Sequence, residues 1–162
     1  MITPNAKGDK VTPGLLNLLR LGENEEILFH KKLTLSYQQL KNGERTVRKH
    51  LVVTTANVIL LDYYFFHIHF PKNWREKDIV PLSRIIAVEG KMKMFMKDIC
   101  PFLIIKTVSN DVYEIVFSTL GNYIADIKII ASIIKNSNAN AEISIELSQT
   151  PLNKLATRFG WS

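Results

Sequence analysis

The side chains best suited to chemistry in this chain are cations gathered around one turn. Lys41, Arg45, Arg48 and Lys49 surround Asn42-Gly43-Glu44 and lead into an apolar β-branched run, Leu51 to Thr55. An arginine fork meets phosphate oxygens in pairs, and a lysine supplies a compact point charge. Several such groups across one hairpin can converge on a single anionic headgroup or lie flat on an anionic leaflet, at roughly 1 kcal/mol per Lys or Arg near the surface. The same residues also read as a solvated edge that discourages strand pairing, and Glu44 inside the turn weakens the local potential.

A second signal is the segment Lys91 to Asp98, KMKMFMKD. At strand period Lys91, Lys93, Phe95 and Lys97 share one face, and Met92, Met94 and Met96 share the other. Methionine is adaptable and favoured on contact surfaces. As a loop, the segment can dip Met94 and Phe95 into a headgroup layer while its lysines hold phosphates. As a strand, it is core on one side and wet on the other. The two readings stay open.

Other chemistry finds less support. His67 and His69 share a strand face at a spacing that can hold a metal, but a third ligand would have to come from His30, His50 or Asp62, so no metal is expected. Cys100 stands alone before Pro101 with no base in evident reach, and no glycine-rich nucleotide loop occurs. The sequence therefore points away from an enzyme, and no cofactor is expected.

The elements that must position these groups follow from periodicity. Residues 1–12 read as a flexible lead. Thr12-Pro13 starts a short helix with Leu15, Leu16, Leu18 and Leu19 on its greasy face and Gly22 as its stop. Phe29, Leu33, Leu35 and Tyr37 alternate as a half-buried strand, which Asn42-Gly43 reverses into a strand with Val47, Leu51 and Val53 on one face. Ala56-Asn57 breaks this from Val58 to Leu61, giving a second hairpin. An aromatic strand with Phe66, Ile68 and Phe70 ends at Pro71, and a polar loop with Trp74 follows. Pro81 confines Ile79 to Val88 to an edge or a strand start. Phe102 to Val108 and Val112 to Phe117 flank a turn at Ser109-Asn110-Asp111. Leu120, Tyr123, Ile124, Ile127, Ile130, Ala131 and Ile134 then follow helical spacing for about four turns. The tail alternates Ile143, Ile145 and Leu147 and reaches a short helical pattern ending in Phe159-Gly160-Trp161.

Composition bounds the class. The chain has 162 residues, 46% of them hydrophobic, enough for one domain with a proper core. Its net charge of +6 favours anionic partners. One cysteine excludes an internal disulfide and fits a reducing compartment. The first residues lack a secretory h-region, Gly does not follow Met1, and no apolar run approaches the ~20 residues of a membrane span. The expectation is a soluble, cytoplasmic protein that meets a membrane only at its surface.

Strands first and a helix last suggest a bent sheet or open barrel of about seven antiparallel strands whose end one long helix plugs, with a short extra N-terminal helix and a C-terminal tail. This order, with Gly22-Glu23, Ile27-Leu28-Phe29, the basic turn, Leu51-Val52-Val53-Thr54-Thr55, Val80-Pro81-Leu82-Ser83-Arg84-Ile85 and the late hairpin Phe102 to Phe117, resembles the pleckstrin-homology-like superfamily. The wording is similar to the tail-homology domain of class I myosins and to GRAM-type and bacterial relatives. The resemblance covers roughly residues 22–137, leaving 1–21 as lead and short helix and 138–162 as a tail packing on the domain.

The resemblance implies a binding module for anionic phospholipid or phosphoinositide headgroups. Lys32 falls on its first strand, Arg45 and Lys49 on its basic positions, and Lys41 and Arg48 beside them. Lys91, Lys93, Met94, Phe95 and Lys97 are secondary membrane or partner contacts. The alternative is a protein–protein adaptor of the same fold that uses a hairpin edge or a groove beside the helix. Nucleic acid ranks below both, because exposed aromatics do not alternate with basic residues as stacking platforms require.

Overall fold

The computed structural model describes residues 2–33, 39–46, 48–62 and 77–147, without the side chains of residues 2–5, 39–40 and 45–46. The expectations for Leu35, Tyr37, Val47, the aromatic run with His67 and His69, Trp74 and the tail beyond 147 lie outside these residues.

The chain forms two sheets and two helices. The first sheet has the order β1-β2-β5-β6-β7, from β1 (Ile2–Gly8), β2 (Ile27–Lys32), β5 (His50–Thr54), β6 (Asn57–Leu61) and β7 (Lys77–Pro81). The second has the order β11-β8-β9-β10-β3-β4, from β3 (Gln39–Lys41), β4 (Glu44–Thr46), β8 (Ile85–Phe95), β9 (Asp98–Thr107), β10 (Val112–Val116) and β11 (Glu142–Glu146). The protein is mainly β, and its sheets do not close into a barrel. The expected strand number, about seven and all antiparallel, gives way to eleven strands among the described residues, with β1–β2 and β11–β8 parallel. One reason is a break in pairing: β2 lies in the first sheet and β3 in the second, and β5 and β4 divide likewise.

The lead was expected to be flexible, yet Ile2–Gly8 is an edge strand. Its pairing uses backbone donors and acceptors, which leave no mark on side-chain periodicity. Gly8 makes the crossing possible: at φ +89° it lies against His30, and a Cβ there would sit 2.0 Å from the His30 carbonyl oxygen. Asp9 N–H then donates to that oxygen at 2.7 Å.

Helix α1 (Pro13–Leu19) begins where Thr12 Oγ1 accepts the Leu15 N–H at 3.2 Å, with Pro13 in its first turn. Its stop is Arg20 in the left-handed region at φ 50°, before the expected Gly22. Leu15 and Leu19 pack with Ile27, Val52, Ile59 and Leu61, so α1 covers the outer face of the first sheet. The inner face supplies Phe29, Leu51, Val53 and Leu60 to the main core, where they meet Val88, Leu103, Ile105 and Ile115 of the second sheet. Helix α2 (Tyr123–Ser137) adds Tyr123, Ile127, Ile130 and Ile134 to that core. Leu120, expected on the helix, precedes it and is exposed. Lys31 of β2 meets Asp126 of α2 at 3.2 Å and ties the helix to the first sheet.

Two turns differ in detail from expectation. The β5–β6 turn falls at Thr55-Ala56, and no positive φ is used there. Thr54 Oγ1 instead accepts from the Ala56 and Asn57 N–H groups and donates to the Glu25 carboxylate. Burial pushes the Glu25 carboxyl up, but hydrogen bonds from Gly22 N–H, Thr54 and Asn57 outweigh it and hold it below its ordinary value. The stretch from Ile79 to Val88 is divided: Pro81 ends β7, a 3₁₀ turn at Leu82–Arg84 makes the corner, and Ile85 opens β8 in the other sheet.

Candidate functional site

Asn42 and Gly43 take positive φ of 52° and 84°, the geometry of a primed two-residue hairpin turn. Lys41 and Glu44 pair across it. The Asn42 amide donates to Asp111 Oδ1 at 3.0 Å and its Oδ1 accepts the Val112 N–H at 2.8 Å, so the turn is clipped to the β9–β10 turn and carries a carboxylate beside it. Lys41 Nζ stands 5.4 Å from the Tyr113 ring centre. Tyr113 first, with Asp78 and Asp111 behind it, holds the Lys41 ammonium above its ordinary value.

Arg48 departs most from its expected role. It is only 7% exposed, and its Nε and Nη2 each lie 3.2 Å from Asp78 Oδ2. A guanidinium buried beneath the sheet surface and bound to a carboxylate cannot serve as an open headgroup contact, so its assignment as one is corrected. Arg45 lies on β4 opposite Leu40, with its side chain outside the described residues. Lys49 is half-buried, its backbone bonded to Leu61 and Leu33. Lys32 is exposed on β2 opposite His50, and its N–H donates to the Asp9 carboxylate at 2.6 Å. Lys32 thus lies in the first sheet, Lys41 and Arg45 in the second, and Arg48 and Lys49 just before β5.

The methionine segment is a hairpin. Strand β8 runs to Phe95, Met96 and Lys97 make the turn, and Phe95 pairs with Asp98 at the head of β9. Alternation holds to Phe95: Met92 packs against the main core, while Phe95 joins Cys100, Phe102, Ile104 and Val116 on the opposite face of the second sheet. Phe95 is 7% exposed and meets Phe102 edge-on at 6.0 Å, so it is not a contact residue as expected. Lys93 lies across the Phe102 ring at 5.1 Å to reach Glu114, and Glu89 pairs with Lys91 and Lys106 at 3.1 Å each. Lys106 first, against a burial cost, and then Lys91 hold the Glu89 carboxyl below its ordinary value. These pairs neutralise two of the expected cationic contacts.

What remains at the tip is apolar and open. Met94 is 67% and Met96 63% exposed, with Lys97 exposed beside them. Met96 has φ +56° at the first turn position, where a two-residue hairpin normally places Gly, Asn or Asp. A bulky residue in the left-handed region costs on the order of 1 kcal/mol, and such strain points to a use.

His30 and His50, considered for a metal, hydrogen-bond one another at 2.9 Å, and no group of potential ligands assembles among the described residues. Cys100 is buried, and burial followed by Asp98 pushes its thiol up, away from a reactive thiolate. Sequence reasoning missed Asp78, placed in a polar loop, and the turn at Met96, where no glycine or asparagine marks it.

No protein-family model matches the chain, and no curated protein matches it. Among solved structures, the hSac2 domain from human phosphoinositide phosphatase Sac2 is similar at 11% identity and a TM-score of 0.47, over 86% of this chain and 93% of that one. So slight a likeness carries neither a fold assignment nor a function.

Proposed function

We propose that the chain is a non-enzymatic, pleckstrin-homology-like binding module that docks on anionic phospholipid surfaces and works peripherally at the membrane. The strand order supports the architecture. With β2 and β3 counted as one unit, β4 and β5 as another, and β1 and β11 as additions at the edges, seven antiparallel members precede a closing helix.

The observation that carries the function is the β8–β9 tip. Met94 stands exposed near the end of β8 and Met96 on the turn, whose first, strained residue it is, beside Lys97. Flexible thioethers suit the disordered boundary between headgroups and acyl chains, and a net charge of +6 steers the molecule to anionic leaflets. Lys32, Lys41, Arg45 and Lys49 add to that field. The finer choice among headgroups, phosphoinositides included, belongs to the same proposal.

A second reading has one observation in its favour. Glu89 and Glu114 hold Lys91 and Lys93, and a tip with neutralised flanks suits a groove on a partner protein.

Co-sedimentation with phosphatidylcholine vesicles carrying graded phosphatidylserine or phosphoinositide separates the two. Wild type is expected to bind increasingly with anionic lipid. Met94→Asp with Met96→Asp is expected to lose about tenfold in affinity with an unchanged melting temperature, and Lys41→Glu with Arg45→Glu to lose less. Equal recovery of wild type on neutral and anionic vesicles at low salt sinks the lipid reading.

A further inference from the structure

The β8–β9 hairpin holds three methionines in different surroundings. Met92 is half-buried and packs against the main core. Met94 shares its strand face two residues on, but there β8 has run past the edge of that core and leaves Met94 exposed. Met96 is exposed in the turn. Phe95, between them, is turned into the cluster with Cys100 and Phe102 on the opposite face of the sheet and cannot take their place at the surface. Among the described residues, the exposed large apolar side chains at this tip are the two thioethers.

A thioether gives up two electrons to a peroxide and becomes a sulfoxide, which turns a flexible apolar side chain into a polar, chiral one. Reaction follows access to the sulfur, so Met94 and Met96 are open to it and Met92 is shielded by its packing. The thiol of Cys100 does not compete. It is buried, and burial followed by Asp98 pushes it up, so little of the reactive thiolate forms.

We propose that Met94 and Met96 are a peroxide-oxidation site that releases the tip from the membrane, an inference that rests on the docking reading above. With hydrogen peroxide, the sulfur lone pair attacks one oxygen, and the S–O bond forms as the O–O bond breaks. The leaving hydroxide takes the proton of the transferred oxygen and departs as water. Sulfur is oxidised by two electrons and the peroxide is reduced by the same two. The sulfoxide dipole then lies where the tip enters the boundary between headgroups and acyl chains, and its desolvation opposes docking. Reduction by two thiols returns the thioether with a disulfide and water as products, so the site resets.

The test adds hydrogen peroxide in steps to the full chain and follows each methionine by peptide mass spectrometry. Co-sedimentation with phosphatidylcholine–phosphatidylserine vesicles is run on the same samples. Met94 and Met96 are expected to gain oxygen at least about fivefold faster than Met92. With both oxidised, affinity for anionic vesicles should fall about fivefold at an unchanged melting temperature. The loss is smaller than that of Met94→Asp with Met96→Asp, because a sulfoxide is polar but uncharged. Treatment with the two methionine sulfoxide reductases, one for each sulfoxide epimer, and a dithiol should restore binding. Met92→Leu should respond to peroxide as wild type does. Met94→Leu with Met96→Leu, whatever its starting affinity, should change by less than about twofold on the same treatment.

Met92 gaining oxygen as fast as Met94 and Met96 overturns the switch and leaves docking in place. So does an oxidised chain that binds anionic vesicles as the reduced chain does, or one that loses binding only as its melting temperature drops. Equal recovery of the untreated chain on neutral and anionic vesicles removes the docking reading and the switch with it. That result shows before any oxidant is added, so the two failures are told apart.

Discussion

The two hairpins that drew notice for their charge and their methionines have exchanged roles. The β3–β4 hairpin looks like a bare cationic turn in sequence, but it is relaxed and largely satisfied. Asn42 and Gly43 take their positive φ at little cost, Asn42 is bound to Asp111, Lys41 faces Tyr113, and Arg48 nearby is bound to Asp78. The β8–β9 hairpin looks like an ordinary amphipathic strand, yet it carries backbone strain at Met96 and leaves two methionines open to solvent. A count of cations measures the field a protein casts at a distance. It does not measure which cations are available at contact.

The largest effect that can break this comparison is at Arg48. If its guanidinium is structural, Arg48→Leu removes the guanidinium bound to the Asp78 carboxylate at a site where both side chains are mostly buried. Breaking a buried pair by removing one partner costs about 3 kcal/mol or more. Urea denaturation should show that loss, with vesicle binding of the folded fraction close to wild type. Unchanged stability with lost binding would return Arg48 to the headgroup site and undo the contrast.

The next effect concerns charge held in a neutral form. His50 is lowered to about 4 by burial, then by His30 and Lys32, and His30 is lowered chiefly by burial. Both native values lie below the unfolded value of about 6.5, so the unfolded chain binds more protons. The stability these rings contribute is complete above that pH and is lost as pH falls through the window down to about 4. Allowing for solvent reach to part of the pair, the loss is on the order of 2 kcal/mol. Melting curves between neutral pH and pH 4.5 should fall more steeply for wild type than for His50→Gln. Parallel curves would mean that the pair takes up its protons over the same pH range folded and unfolded, so that burial does not hold it neutral.

How much could be read beforehand follows from where each feature writes itself in the chain. The Asn42-Gly43 turn and the turn before Val112 were legible because positive φ at Asn42, Gly43 and Asn110 selects residue types that tolerate it. Phe29, Leu33, Leu51 and Val53 were legible because burial on one face imposes a period of two. The β1 strand was not, since its edge pairing depends on backbone atoms and on the one close approach that Gly8 permits. Arg48 was misjudged for a different reason: its carboxylate lies thirty positions away on β7, and only the β5–β6–β7 order brings them together. Met96 left no mark because its turn keeps a residue that local preference would not choose.

That last point gives the smallest effect and the sharpest comparison. Gly43 at φ +84° has nothing within 4 Å of an added Cβ, so Gly43→Ala meets no clash and costs only backbone strain, about 1 kcal/mol. Met96→Gly is the reverse experiment at φ +56°: it releases strain, offset in part by the greater freedom of glycine in the unfolded chain, for a net gain of about 0.5 kcal/mol. Chemical denaturation of both variants reads the two signs directly. If Met96 is kept for contact, Met96→Gly should be slightly more stable than wild type and weaker on anionic vesicles, whereas Gly43→Ala should be less stable and bind as wild type once folded. A Met96→Gly variant that is more stable and binds equally well would leave the strained methionine without a role at the surface. The tip would then be a turn with an unfavoured residue, and Met94 alone would have to account for docking.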